Sequence, residues 1–269
     1  MEVKSISILG CGWLGFPLGN SLANDGWIVK GTSTSSEKIA RLKENNIKPY
    51  LIDLNDQPDF LDFLNSEILI INLPPRKLNN PLEQYQILSS LIDKSPVQKV
   101  IFISSTSAYD NSNRIATEDD TILLPDNYNK TINFERIFQK LNNKVNIIRF
   151  AGLIGPQRHP GRFFANGKSI SDPNIPVNLI HLDDCISIIK LLLNRNQWNE
   201  IYNACADTHP TKLEFYTKAS EKLGFPSPQV ITSNETNEGK VVSNEKLKSQ
   251  LNYQFQHPDL LGLLDKNCF

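Results

Sequence analysis

Apolar residues fall into short runs separated by amphipathic stretches, and the two alternate as far as about residue 155. The runs at 5–9, 27–32, 48–53, 68–72, 99–104 and 146–150 read as strands. Several are almost continuously apolar rather than alternating, the pattern expected of a parallel sheet covered on both faces. Strands alternating with helical stretches through short turns predict an α/β fold, a Rossmann-like doubly wound parallel sheet. After Gly155 the pattern changes to a loop of glycine, proline and cations (155–162), a short strand at 177–182, a helix at 183–194, and short helices with proline-rich turns over 208–269. The expected division is a dinucleotide-binding core over 1–155 and a mixed α/β region over 156–269. That second region completes the sheet and supplies a small C-terminal substrate lobe, near the carboxyl edge where open α/β sheets bind ligands.

The first strand runs directly into Gly10-Cys11-Gly12-Trp13-Leu14-Gly15, and a helical stretch follows at 16–24. Glycine is needed first for a tight turn, second for close approach of backbone to a pyrophosphate, and third for packing of helix on strand. The helix then presents its N-terminal N–H groups to the anion. Gly10, Gly12, Trp13, Leu14 and Gly15 are therefore cofactor-binding candidates.

Composition narrows the partners. The chain has 269 residues, a net charge of −1, 39% hydrophobic and 21% charged residues. There is no long basic run and no apolar stretch of membrane-spanning length, so neither nucleic acid nor a membrane is expected as a partner. The N-terminal apolar run is too short for a secretory signal. Cys11, Cys185, Cys205 and Cys268 form no CxxC pair and no metal-ligand spacing. They read as free thiols in a reducing cytoplasm, with Cys11 a small residue between two glycines.

Cofactor choice turns on the end of the second strand. NAD sites usually place a carboxylate there for the ribose hydroxyls. This chain has Gly31-Thr32-Ser33-Thr34-Ser35-Ser36 before Glu37. Thr34-x-x-Glu37 fits a capping box. Thr32, Ser33 and Thr34 leave room for a 2′-phosphate that Lys38 or Arg41 can reach, which favours NADP over NAD. The fifth strand ends in Ser104-Ser105-Thr106-Ser107-Ala108-Tyr109. These hydroxyls suit either a substrate carbonyl or the backbone of a turn.

Taken in order, Gly10-x-Gly12-x-x-Gly15, Asp53-Leu54, Ser104-Ser105-x-x-x-Tyr109 and Arg149-x-x-Gly152-x-x-Gly155-Pro156 resemble the extended short-chain dehydrogenases/reductases, the NAD-dependent epimerase/dehydratase group. Gly10 to Gly15, Gly161-Arg162-Phe163-Phe164 and Asn178-Leu179-Ile180-His181-Leu182 resemble its atypical YeeZ-like branch. The resemblance implies that Asp53 and Leu54 lie near the adenine, that Asn72, Leu73 and Pro74 line the cofactor, and that Ser105 takes the catalytic serine position. One feature departs from the group. No tyrosine here has lysine four residues later, the spacing that puts both side chains on one helix face. Counting back from Glu135 puts Asn127 and Thr131 where that pair belongs. Tyr128 and Lys130 stand two apart, and they can cooperate only outside a helix. Ser105, Tyr128 and Tyr109 are the remaining catalytic candidates.

Arg158, His159 and Arg162 are candidates for clamping a phosphate or carboxylate of the substrate. His181 with Asp183 and Asp184 reads as a strand-to-helix junction in which an aspartate caps the helix, and no metal is expected. The expected function is an NAD(P)-binding oxidoreductase or epimerase of a small anionic or sugar-derived molecule. The alternative is a non-catalytic dinucleotide sensor; oligomeric state is not legible.

Overall fold

The computed structural model describes residues 4–56, 59–125, 128–165, 168–231, 238–266 and 268–269. The strands are β1 (Ser5–Leu9), β2 (Ile28–Ser33), β3 (Ile47–Leu51), β4 (Ile68–Ile71), β5 (Lys99–Ser105), β6 (Ile115–Ala116), β7 (Lys144–Phe150), β8 (Gly152–Ile154), β9 (Leu179–His181), β10 (Ile201–Ala204) and β11 (Val241–Val242). The helices are α1 (Gly15–Asn24), α2 (Ser36–Glu44), α3 (Pro81–Asp93), α4 (Lys130–Gln139), α5 (Leu182–Asn194), α6 (Lys212–Glu221), α7 (Glu245–Leu251) and α8 (Leu260–Leu263).

A seven-stranded sheet runs in the order β10-β7-β5-β4-β1-β2-β3, with parallel pairing from β5 through β4, β1 and β2 to β3. This is the expected Rossmann-like α/β sheet. Every strand read from the sequence is present, with ends displaced by a residue or two. The run at 177–182 shortens to β9, because its last residue opens α5. The pairs β6–β11 and β8–β9 stand apart from the main sheet. The chain folds as two compact units that interleave in sequence, one of residues 1–104, 125–148 and 192–201, the other of 105–124, 149–191 and 202–269.

In the first unit, period-two alternation feeds both faces of the sheet. Leu9, Leu69, Ile71, Val100 and Phe102 pack with Tyr85, Leu88 and Ile92 of α3 and Phe134 and Phe138 of α4. Tyr85 meets Phe134 edge-on at 5.2 Å, and Phe102 lies 4.7 Å from Phe138. On the opposite face α1 comes down on β1 and β3. A Cβ at Gly19 would lie 2.9 Å from Ile47 Cδ1 and 3.3 Å from Ile8 Cδ1, so only hydrogen fits there without a shift. In the second unit, Ile154 and Leu179 of β8 and β9 share a core with Phe215 and Ala219 of α6 and Leu260 and Leu263 of α8.

Candidate dinucleotide site and polar networks

The turn after β1 is fixed by neighbours on both sides. Gly10 N donates to Thr32 Oγ1 at 2.8 Å, and Cys11 N donates to Thr32 O at 2.9 Å. Asn72 N donates to Leu9 O at 2.9 Å, while Asn72 Nδ2 donates to Gly10 O at 2.9 Å. The three glycines then separate by role. Gly10 has φ +103°, and its Cβ would stand 2.5 Å from Asn72 O; a Cβ on Gly15 would stand 2.2 Å from Gly10 O. Neither position accepts a side chain. A Cβ on Gly12 meets nothing within 4 Å. Packing therefore does not require glycine there. Helix α1 starts from Leu14 with no side-chain cap. Trp13 is half-buried and Leu14 buried beside this end.

Cys11 turns its thiol inward. A Cβ on Gly31 would lie 2.6 Å from Cys11 Sγ, and burial pushes the thiol up to about 12. It is a packing residue, and all four cysteines are free.

At the end of β2, Thr32 and Ser33 are buried, and Ser33 Oγ accepts from Ser35 N at 3.1 Å. The capping box expected of Thr34 and Glu37 is absent. Helix α2 begins at Ser36 with Ser35 as its cap residue, so Thr34 stands one position too early. Arg41 lies over the Phe16 ring, 4.0 Å from its centre. Asp53 Oδ1 accepts from Asn55 N and Asn55 Nδ2, and Leu54 packs partly buried against the core. Leu73 O accepts from Tyr85 Oη at 2.6 Å, and Pro74 is exposed.

Helix α4 carries the segment where the resemblance expects a tyrosine–lysine pair. Ser104 Oγ and the buried Glu135 Oε1 are 2.5 Å apart, which fixes the helix against β5. Thr131 lies one turn before Glu135. Asn129 caps the helix by accepting from Ile132 N at 2.9 Å, so Tyr128 stands ahead of the first turn and is exposed. Asn127 lies outside the described residues.

In the second unit Ser105 is exposed, and its Oγ accepts from Ser107 N at 3.2 Å, capping the 3-10 turn 106–108. Tyr109 is enclosed. Its Oη donates to Asn203 Oδ1 at 2.6 Å and accepts from Arg149 Nη1 at 2.7 Å. Arg149 is itself buried and donates to Thr121 Oγ1 at 2.9 Å. Asn203 N donates to Glu118 Oε1 at 2.6 Å. Burial pushes the Tyr109 phenol up to about 12 against the opposing pull of Arg149, and burial likewise raises the Glu118 carboxyl. A phenol with both hydrogen-bonding roles filled and a raised pKa is a poor proton donor to substrate. Tyr109 is an interior strut, against the expectation that made it a catalytic candidate.

The cationic loop of the second unit is a tight structure. Arg158 N donates to Gly155 O at 2.8 Å, and His159 Nδ1 accepts from Gly161 N at 3.0 Å. A Cβ on Gly161 would lie 2.1 Å from Ala219 O, so the loop is pressed on α6. Arg158 and Arg162 are exposed. Burial, and then the Arg162 charge, lower the His159 pKa. Farther along, the expected aspartate cap of α5 is not made. Asp183 N donates to His181 Nδ1 at 3.2 Å, and the fully buried Asp184 accepts from Tyr253 Oη, Gln256 N and His257 N. His257 Nε2 lies 3.1 Å from Asp183 Oδ2, a partner 74 residues away that no local pattern announces.

This sheet order and the glycine turn after its first strand define a Rossmann-like α/β fold. Solved structures agree. MoeE5 in complex with UDP-glucose and NAD superposes with a TM-score of 0.79 at 19% identity, covering 97% of this chain and 96% of that one. UDP-glucuronic acid 4-epimerase from Bacillus cereus, in complex with UDP-glucuronic acid and NAD, gives 0.78 at 16% identity over 97% of both chains. A functionally unknown conserved protein from Silicibacter pomeroyi gives 0.76 at 22% identity, covering 98% and 97%. No family model matches the chain. Protein YeeZ of Escherichia coli K12 is 34% identical over 276 residues, spanning 96% of this chain and 98% of that protein. The chain belongs to the YeeZ family.

Proposed function

We propose that the protein is an NAD(P)-binding oxidoreductase or epimerase acting on a small anionic or sugar-derived substrate. The observation that carries this reading is Gly12, open to 4 Å inside a turn whose other two glycines are packed shut. Gly10 to Gly15 hold the pyrophosphate, Thr32 to Thr34 face the ribose, and Asp53 with Leu54 lies near the adenine. Asn72 to Pro74 line the cofactor, with Ser104 at the adjoining strand end. The bound nicotinamide supplies hydride chemistry, and the chain's own residues bind, orient and move protons. The strand end without a carboxylate, with Arg41 nearby, favours NADP over NAD. Structural neighbours were solved with NAD and UDP-sugars, which supports sugar nucleotides as the first substrates to try. Arg158 and Arg162 bind the substrate's anionic part, and a neutral His159 shapes the loop between them.

Ser105 holds a substrate oxygen, and Tyr128, exposed ahead of α4, is the acid/base. The test is incubation with NAD(P) and UDP-glucose or UDP-glucuronic acid, following product by chromatography and reduced cofactor by absorbance. Tyr128→Phe and Ser105→Ala should each lower turnover by roughly 10²–10⁴-fold, the usual worth of a positioned acid/base. Full turnover in Tyr128→Phe removes that residue from the mechanism. A second reading, a dinucleotide sensor without catalysis, is favoured by Thr131 at the lysine position and by the enclosed Tyr109. Dinucleotide binding with no turnover of any sugar nucleotide or keto acid selects it.

A further inference from the structure

Three ligand-type atoms converge in the second unit, on residues given no part in the proposed reaction. One ligand-type atom from each of His181, Asp183 and His257 lies within 4.8 Å of the others. Asp183 Oδ2 stands 3.2 Å from His181 Nδ1 and 3.1 Å from His257 Nε2. Ligand atoms bonded to zinc at about 2.0–2.1 Å in a tetrahedron sit roughly 3.3 Å from each other. We propose that these three side chains form a site for a divalent transition-metal ion of the zinc type.

The tautomer of His181 supports the assignment. Its Nε2 lies 3.0 Å from Cys268 O, and a carbonyl only accepts, so Nε2 carries the hydrogen and Nδ1 presents a lone pair. Donation of the far ring N–H to a backbone carbonyl is the usual way a metal-binding imidazole is oriented. Nδ1 receives the Asp183 N–H at 3.2 Å, a long hydrogen bond that a metal bond replaces. Asp183 Oδ2 lies 3.2 Å from the same nitrogen, close enough for the two atoms to share one bound cation. A second carboxylate orders the third ligand. Asp184, fully buried, accepts from Gln256 N at 2.7 Å and from His257 N at 3.1 Å, and so carries the backbone of His257. His181 is buried, while the Asp183 side chain is 48% exposed, which leaves a coordination position open to water. Two imidazoles and one carboxylate suit zinc, nickel or copper ahead of magnesium or calcium.

The test uses tag-free, full-length protein stripped with a chelator, then titrated with Zn²⁺ by calorimetry and with Co²⁺ by visible absorption. The expected result is one ion per chain, with the intense d–d bands of a tetrahedral site. Affinity should fall by roughly 100-fold in His257→Ala and in Asp183→Asn, each a lost ligand, and should stay unchanged in His209→Ala. Should His257→Ala fail to fold by circular dichroism, Asp183→Asn, whose side chain is half exposed, decides alone. Absence of binding by the wild type overturns the proposal. So does equal affinity in wild type and Asp183→Asn, which places the ion elsewhere on the surface.

Discussion

Tyr109 shows how far a residue's role depends on what closes around it. In the sequence it stands four residues after Ser105 at a strand end, where catalytic hydroxyls gather. In the fold its oxygen sits between Arg149 and Asn203, partners 40 and 94 residues away. Tyr109→Phe removes one atom and leaves the Arg149 Nη1 donor and the Asn203 Oδ1 acceptor without it in a buried space. A loss of about 1–3 kcal/mol in urea unfolding is expected, with dinucleotide affinity unchanged. A variant of wild-type stability that has lost turnover would return Tyr109 to the catalytic list. His257 teaches the same lesson: its pairing with Asp183 spans 74 positions, and nothing in the local spacing around His181 points to it. The glycine turn was legible because its signature lies within six consecutive residues, although Thr32 and Asn72 fix it from afar, whereas interior struts and cross-chain clusters carry no such local signature.

At the scale of elements, hydrophobic run length decided what could be read. β4 is four fully buried residues, Ile68-Leu69-Ile70-Ile71, and admits no other reading. β10, Ile201-Tyr202-Asn203-Ala204, joins the same sheet but carries a polar residue in a four-residue run, so the pattern alone passes over it. β8 is three residues, too short for alternation to register, whereas β9, equally short, lies inside the apolar run at 177–182 that the sequence shows. Helix α4 is placed by one polar contact as much as by its apolar face. Glu135→Ala removes the partner of Ser104 Oγ inside the core. It should destabilise by about 1–3 kcal/mol, while Glu135→Gln keeps an acceptor and should lose less. Equal losses in denaturant melts would mean that packing of Phe134 and Phe138, rather than this contact, sets the helix.

At the scale of the whole molecule, belonging to the YeeZ family fixes the fold and leaves the chemistry to the sites, since one fold hosts many reactions. Among the described residues, no helix is long and apolar enough to cross a membrane. Burial lowers the folded-state pKa of both His159 and His209 from the ordinary 6.5. A base lowered on folding contributes stability that is complete above the unfolded value and is lost as pH falls through 6.5 towards the folded one. Melting temperature should therefore drop as pH is taken from about 7.5 to 5.5, and His209→Gln should flatten part of that slope. A melting temperature that rises over the same range would contradict the assignment of neutral, half-buried imidazoles. The central claim, that the Gly10–Gly15 turn exists to hold a dinucleotide, is met most directly by calorimetric titration of wild type and Gly12→Val with NADP and with NAD. The wild type should bind both, NADP the more tightly. Gly12→Val should bind neither while melting as the wild type does, because its side chain enters space that no protein atom uses. Equal affinity in the two proteins would contradict the account.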